Sequence, residues 1–195
     1  MAALTLFTIG HSTRTLEELV ELLRCAGVTL VVDVRRFPGS RRHPQFGRER
    51  LAAGLATAGI GYRHEPALGG RRPPRSDSPN TAWRNDQLRG YADHMASAEF
   101  AAGLAALQAV AAERPTAVLC AEADPSHCHR QLLADAMEAA AWEVVHLLAG
   151  GARERHRRHP RLRVDAQGGL SYPPAAAEEG CQQSLPGLGG LGDPP

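Results

Sequence analysis

The chain has 195 residues, enough for one α/β domain with a real core and too few for two comfortable ones. Its 22 basic residues, every one an Arg, stand against 21 acidic residues for a formal net charge of +1, which excludes adhesion to polyanions by bulk charge. Four cysteines (Cys25, Cys120, Cys128, Cys181) fall short of a secreted disulfide scaffold. With no basic leader segment and no apolar run near the ~20 residues of a bilayer span, a cytoplasmic setting with reduced thiols and no membrane partner is expected.

Leu4 to Ile9 reads as a first strand, ending in the turn Gly10-His11-Ser12. Thr15-Leu16-Glu17-Glu18 has the form of a capping box, and Leu16, Leu19, Val20, Leu23 and Ala26 recur at helical spacing until Gly27. Val28 to Val34 is an apolar run broken mainly by Asp33, the pattern of a strand buried on both faces of a parallel sheet. Strand, helix and strand make a βαβ unit. A helix over Arg48 to Ala58 and a short strand at Ile60 to Arg63 follow. Leu68 to Arg84, rich in Gly, Pro, Ser and Asn with few apolar anchors, reads as a mobile loop.

Helices are expected over Asp86 to Met95 and, behind Ser97 as cap, Ala98 to Ala112. A strand at Thr116 to Ala121, a helix from about Cys128 to Ala141 and a strand at Val144 to Leu148 complete the core. Beyond Gly150 come Arg153, Arg155, Arg157, Arg158, Arg161 and Arg163, then a Gly/Pro-rich stretch from Pro173 expected to be disordered. The expected organisation is a Rossmann-like three-layer α/β domain with a mostly parallel sheet over residues 1–172 and a tail over 173–195.

The densest chemistry lies in Cys120-Ala121-Glu122-Ala123-Asp124-Pro125-Ser126-His127-Cys128-His129-Arg130, on one strand-to-helix turn. Asp124 or Ser126, with Pro125, suits a helix start. A core position would account equally for Cys120, and burial under the helix is the alternative for Cys128, but packing gives no reason for the imidazoles and charges gathered with them. In an open α/β sheet such turns lie at the carboxyl edge, where ligands bind. Glu122 and Asp33 are candidates for a general base, and His11 and His129 for an acid or base near neutral pH. Cys128, near a helix N-terminus, is a candidate nucleophile. Arg35 and Arg130, with Ser12 and Cys120 beside them, are candidates for holding phosphate or substrate.

Two cysteines eight residues apart, without a second paired spacing, do not form a zinc pattern, and no metal is expected. The zinc-deaminase signature is likewise absent. The layout around Cys120 is similar to that of rhodaneses and cysteine phosphatases, but Arg130 lies too far along the chain for the phosphatases' short Cys-to-Arg loop. A covalent thiol mechanism is therefore not the favoured expectation.

Between Arg35 and Arg75 ten arginines face two acids, Glu49 and Glu65. Phosphates would satisfy this local excess, and Phe37, Phe46 and Tyr62 offer stacking surfaces. A solvated face balanced by Glu17, Glu18 and Glu21 would account for it equally.

Thr8-Ile9-Gly10-His11-Ser12, Asp33-Val34-Arg35 with Pro38 and Ser40, Leu68-Gly69-Gly70, Tyr91-Ala92-Asp93-His94-Met95, and Leu119-Cys120-Ala121-Glu122 with Cys128-His129-Arg130 occur in this order. Together they resemble the bacterial and archaeal family called domain of unknown function 488, over about residues 4 to 165. The resemblance implies a compact Rossmann-like domain and a polar surface built from these islands; it brings no established activity and no cofactor.

The expectation is an enzyme acting on a nucleotide or nucleic-acid substrate by hydrolysis or glycosyl transfer. The alternative is a non-enzymatic nucleotide- or nucleic-acid-binding accessory protein. In the tail, Gln182-Gln183-Ser184-Leu185-Pro186 resembles a sliding-clamp docking peptide. Gln183 and Pro186 stand where such peptides carry apolar anchors, so clamp docking is not expected.

Overall fold

The computed structural model describes residues 4–39 and 43–175. β1 (Thr5–Gly10) leads through α1 (Leu16–Cys25) to β2 (Leu30–Asp33), then through α2 (Arg48–Thr57) to β3 (Gly61–His64). α3 (Asp86–His94) and α4 (Ala98–Glu113) precede β4 (Thr116–Cys120), which is followed by α5 (Arg130–Ala139), β5 (Glu143–Leu147) and β6 (Arg153–Arg155). β7 (Arg163–Val164) and β8 (Leu170–Ser171) pair as a separate antiparallel ribbon.

The main sheet has the order β3-β2-β4-β1-β5-β6, parallel except for β6, which runs antiparallel to β5. Alternation along the strands sends side chains to two cores. Ile9, Val31, Ala117 and Leu119 pack with Leu19 and Leu23 of α1 and Leu51 and Leu55 of α2. On the other face Leu6, Val32 and Val118 pack with Tyr91 of α3, Phe100 and Leu107 of α4, and Leu132 and Met137 of α5. The arrangement is the expected three-layer α/β domain with a mostly parallel sheet.

This topology positions the site. From β1 the chain passes by α1 on one face to β2; from β4 it passes by α5 on the other face to β5. The helices diverge between the neighbouring strands β1 and β4, leaving a crevice at their carboxyl ends, the switch point where open α/β sheets bind ligands. Pairing of Gly10 with Cys120, and of Asp33 with Leu119, sets the ends of β1, β4 and β2 side by side.

Local signals account for the element ends. The Thr15 hydroxyl accepts from the Glu18 amide at 3.2 Å and the Glu18 carboxylate accepts from the Thr15 amide at 2.7 Å, closing the capping box. Ser97 caps α4 through the Phe100 amide. Asp124 caps a single 3-10 turn, Pro125–His127, so α5 itself starts at Arg130, later than the sequence pattern indicates.

Residues 69–84, within the stretch read as a mobile loop, contain no helix or strand, yet polar anchors pin them. Asp93 accepts from Ser78 and Asn80, while the Asn80 side chain accepts from the Tyr172 amide at 2.8 Å. Leu68, Asn80 and Trp83 are buried, and Tyr172 has no exposed surface. Among the described residues no single helix is long and apolar enough to cross a membrane. The clamp-like peptide, Cys181 and Ser40 lie outside the described residues.

Candidate functional site

At the end of β2, Asp33 is fully buried and Arg35 nearly so. The carboxylate accepts from Arg35 through Nε at 2.8 Å and Nη2 at 2.6 Å, and from the Tyr62 hydroxyl at 2.8 Å. Arg35 Nη1 donates to the Phe46 carbonyl at 2.9 Å and stands 3.3 Å from His11 Nε2. His11, stacked on Phe46, has its Nδ1 3.1 Å from the Ser12 carbonyl. Burial lowers its pKa to about 4, against the opposing effect of the Ser12 hydrogen bond and with help from the Arg35 charge. At neutral pH His11 is therefore an uncharged imidazole, donating from Nδ1 and accepting from Arg35. These groups interlock through hydrogen bonds at the end of β2.

A second constellation lies where β4 meets α5. The sulfurs of Cys120 and Cys128 are 2.9 Å apart. The guanidinium of Arg130, with no exposed surface, donates through Nε to the Cys120 sulfur at 3.0 Å, to Thr8 Oγ1 at 3.2 Å, and to the carbonyls of Glu122 and Ala123 at 2.6 and 3.2 Å. Gly10 makes this possible, because a Cβ there would collide with the Glu122 carbonyl. His129 Nδ1 lies 3.5 Å from the Cys128 sulfur, and its Nε2 lies 3.2 Å from the Val34 carbonyl. Since a carbonyl only accepts, Nε2 carries a proton and Nδ1 is left to exchange one with Cys128.

The electrostatics separate the two thiols. Burial raises Cys120 well above the ordinary thiol range, and its hydrogen bond with Cys128 adds to the shift. Burial acts in the same sense on Cys128, but the Cys120 hydrogen bond and the charges of His129 and Arg130 outweigh it and hold that thiol well below the ordinary range. These opposite directions make Cys128 the more acidic thiol of the pair.

Behind Arg130 a buried polar chain crosses the sheet. Thr8 Oγ1 meets His146 Nδ1 at 2.7 Å, His146 Nε2 meets His156 Nδ1 at 3.1 Å, and His156 Nε2 meets Asp135 at 2.9 Å. Tyr172 donates to the other Asp135 oxygen at 2.8 Å. Burial, together with the charges of His156 and Arg130, lowers His146 to about 4. Nothing in the local sequence signals this chain, because its members come from β1, α5, β5 and the segments after β6 and β8.

The crevice itself is a cleft of about 530 Å³. Of the expected site residues, His11, Ser12, Arg35, Cys120, Glu122, Cys128 and His129 line it; Asp33 and Arg130 do not, and stand behind its wall. Glu122 is exposed there. Arg36, Phe37 and Arg71, absent from the expected site set, form part of the lining, and the Arg36 guanidinium lies over the Phe37 ring at 5.7 Å. Arg36, Phe37 and Arg71 belong to the basic window with its stacking surfaces, the signal that pointed to them. Gly70, where a Cβ would stand 2.8 Å from His129 Nδ1, gives the imidazole its space.

Ser12 (φ 46°) and Arg71 (φ 59°), both on the cleft, hold the left-handed backbone conformation that non-glycine residues rarely adopt. Such strain persists where surroundings over-determine it, commonly at ligand sites. Among the described residues no cluster of three or more His, Cys, Asp or Glu side chains is placed to hold a metal ion.

No curated protein and no solved structure matches the chain. The profile of the family described as Domain of unknown function DUF488 matches residues 15–137, from the capping box of α1 to the last turns of α5, and so takes in β2, β4, the thiol pair and Arg130. With more than half of its length matched, the chain belongs to the DUF488 family.

Proposed function

We propose that this protein is an enzyme acting on a nucleotide or a nucleic-acid end, with Cys128 as its nucleophile. One observation carries the reading: Cys128 lines the cleft with its sulfur 3.5 Å from an imidazole nitrogen whose ring is oriented by the Val34 carbonyl. A nucleophile, a base within reach and a third group fixing the base is the arrangement that covalent catalysis requires. The arginine too distant in sequence for a phosphatase loop becomes, in this reading, a brace beneath the thiols, and the adjacent histidine supplies the activation.

The cleft volume falls in the ~300–1,000 Å³ span of small-molecule sites. Arg36 and Arg71 supply guanidinium groups for phosphate, and Phe37, 65% exposed, supplies a face for a base. In the reaction the Cys128 thiolate attacks an electrophilic carbon beside the phosphate, an S–C bond forms as the bond from that carbon to the leaving group breaks, and the proton on His129 Nδ1 passes to the departing group. Glu122, on the same wall, then activates the water that releases the product and regenerates the thiolate. This reading gives the phosphate to Arg36 and Arg71 because Arg130 stands behind the wall on protein acceptors and Arg35 directs most of its N–H groups to Asp33 and Phe46.

A second reading, a non-enzymatic nucleic-acid-binding accessory protein, is favoured by a further cleft of about 720 Å³ across the 123–126 loop, where Arg14, Arg155, Arg157 and Arg158 gather. Calorimetry with mononucleotides and short oligonucleotides at low salt, combined with turnover assays on the same compounds, separates the two. The enzyme reading expects mononucleotide binding that Arg71→Ala weakens about tenfold or more, and turnover that Cys128→Ser abolishes. Oligonucleotide binding without turnover would leave the accessory reading. No binding of either would remove both.

A further inference from the structure

Cys120 and Cys128 stand in a relationship that nucleophilic catalysis does not need. A thiol nucleophile requires its base, which is His129; it does not require a second sulfur 2.9 Å away. We propose that the two cysteines are a peroxide-sensitive modification site, in which Cys128 is oxidised first and Cys120 resolves it into a reversible disulfide.

The geometry carries most of the argument. A disulfide bond measures about 2.05 Å, so the sulfurs need approach by only about 0.9 Å. The two belong to different elements, Cys120 ending β4 and Cys128 preceding α5, and the seven residues between them form an exposed turn with one 3-10 segment that can absorb so small a shift. Both sulfur-bearing residues line the cleft while remaining almost wholly buried.

The chemistry divides the roles. Cys128 has the His129 imidazole 3.5 Å from its sulfur, the kind of neighbour that makes a thiol reactive, while Arg130 donates to Cys120. The Cys128 thiolate attacks the O–O bond of hydrogen peroxide: an S–O bond forms, the O–O bond breaks, and the departing hydroxide leaves as water with a proton from solvent. The product is a sulfenic acid on Cys128. Cys120 then attacks that sulfur, an S–S bond forms, the S–O bond breaks, and the leaving hydroxide takes the Cys120 proton to leave as a second water. Two thiols have lost two electrons and the peroxide has gained them. A small-molecule dithiol reverses the step by exchange. The disulfide consumes the proposed nucleophile, so oxidation closes the site; that consequence rests on the proposed function, whereas formation of the disulfide does not.

The test uses the full-length wild-type protein, fully reduced and then exposed to stoichiometric hydrogen peroxide. Its readout is a peptide map without reductant. The peptide carrying both cysteines is expected to be lighter by two hydrogens, to resist thiol alkylation, and to regain both properties with dithiothreitol, while exposed Cys25 remains alkylatable. In Cys120→Ser, a dimedone adduct on Cys128 is expected in place of the disulfide. The proposal is overturned if both thiols stay free while Cys25 is oxidised, or if Cys128 passes to sulfinic acid with Cys120 still free. The wild-type map needs no variant to fold, and it reads no catalytic activity, so failure of the proposed reaction and failure of the disulfide are seen separately.

Discussion

Arg130 Nε donates to the Cys120 sulfur at 3.0 Å, so a guanidinium with no solvent exposure ends on the thiol pair at the cleft wall. The remaining N–H groups tie the same side chain to Thr8 on β1 and to the carbonyls of Glu122 and Ala123 in the following turn. One side chain thus fixes β1, β4 and the loop that presents Glu122.

Replacing it should cost both stability and thiol reactivity. Arg130→Met keeps much of the volume but leaves the two carbonyls and the Thr8 hydroxyl without their donor, an expected loss of about 3 kcal/mol. Urea denaturation checks this as a lower midpoint at unchanged slope. An unchanged midpoint would mean that the carbonyls find water instead.

The Asp33–Arg35 pair should behave as a buried ion pair broken on one side. Asp33→Asn preserves shape but leaves the Arg35 guanidinium, 8% exposed, without its counter-charge, at an expected cost of about 3–5 kcal/mol. Replacing Arg35 together with Asp33 should recover part of that loss, and the double-mutant cycle measures how much.

Acid should weaken the fold before carboxylates begin to titrate. In the folded protein His11 and His146 have pKa values lowered to about 4, chiefly by burial, whereas the unfolded chain has ordinary histidines near 6.5. Between those values the unfolded state binds more protons than the folded one, so stability falls as pH falls from about 6.5 towards 4 and is unaffected by these two groups above that window. The thermal midpoint should accordingly be level from pH 7 to 8 and decline below 6.5, with a shallower decline in His146→Gln. A midpoint independent of pH down to 5 would contradict the assignment of both as neutral buried imidazoles.

Much of the scaffold is visible in the chain itself because it rests on local chemistry. The Thr15–Glu18 box, the fully buried run Leu30–Asp33 and the strand end at Cys120 each declare themselves by neighbours in sequence. The adjacency of Cys128 and His129 likewise anticipates their contact. The direction of Arg130 is not visible in this way: a charged group beside a strand end satisfies the pattern equally by gripping a ligand or by bracing the turn. Only Thr8 and the Glu122 carbonyl, brought close by folding, decide for the brace. Asp135 and His156 meet across 21 residues, and Asn80 and Tyr172 across 92, through polar contacts that no hydrophobic period reports. For the same reason the 69–84 segment reads as loose although Asp93, Asn80 and Trp83 secure it.

The central claim, that Cys128 is an activated nucleophile facing a nucleotide-binding cleft, is tested most directly by its alkylation rate as a function of pH, with and without mononucleotide. Cys25 serves as the internal reference, since it is exposed and its pKa is raised by the neighbouring Glu21. The account predicts that Cys128 reacts with iodoacetamide at neutral pH with an apparent pKa below the ~8.5 of a free thiol, that Gly70→Ala slows it by crowding His129, and that nucleotide protects it. Reaction of Cys128 that rises only above ~8.5, with no protection by nucleotide, would contradict the account.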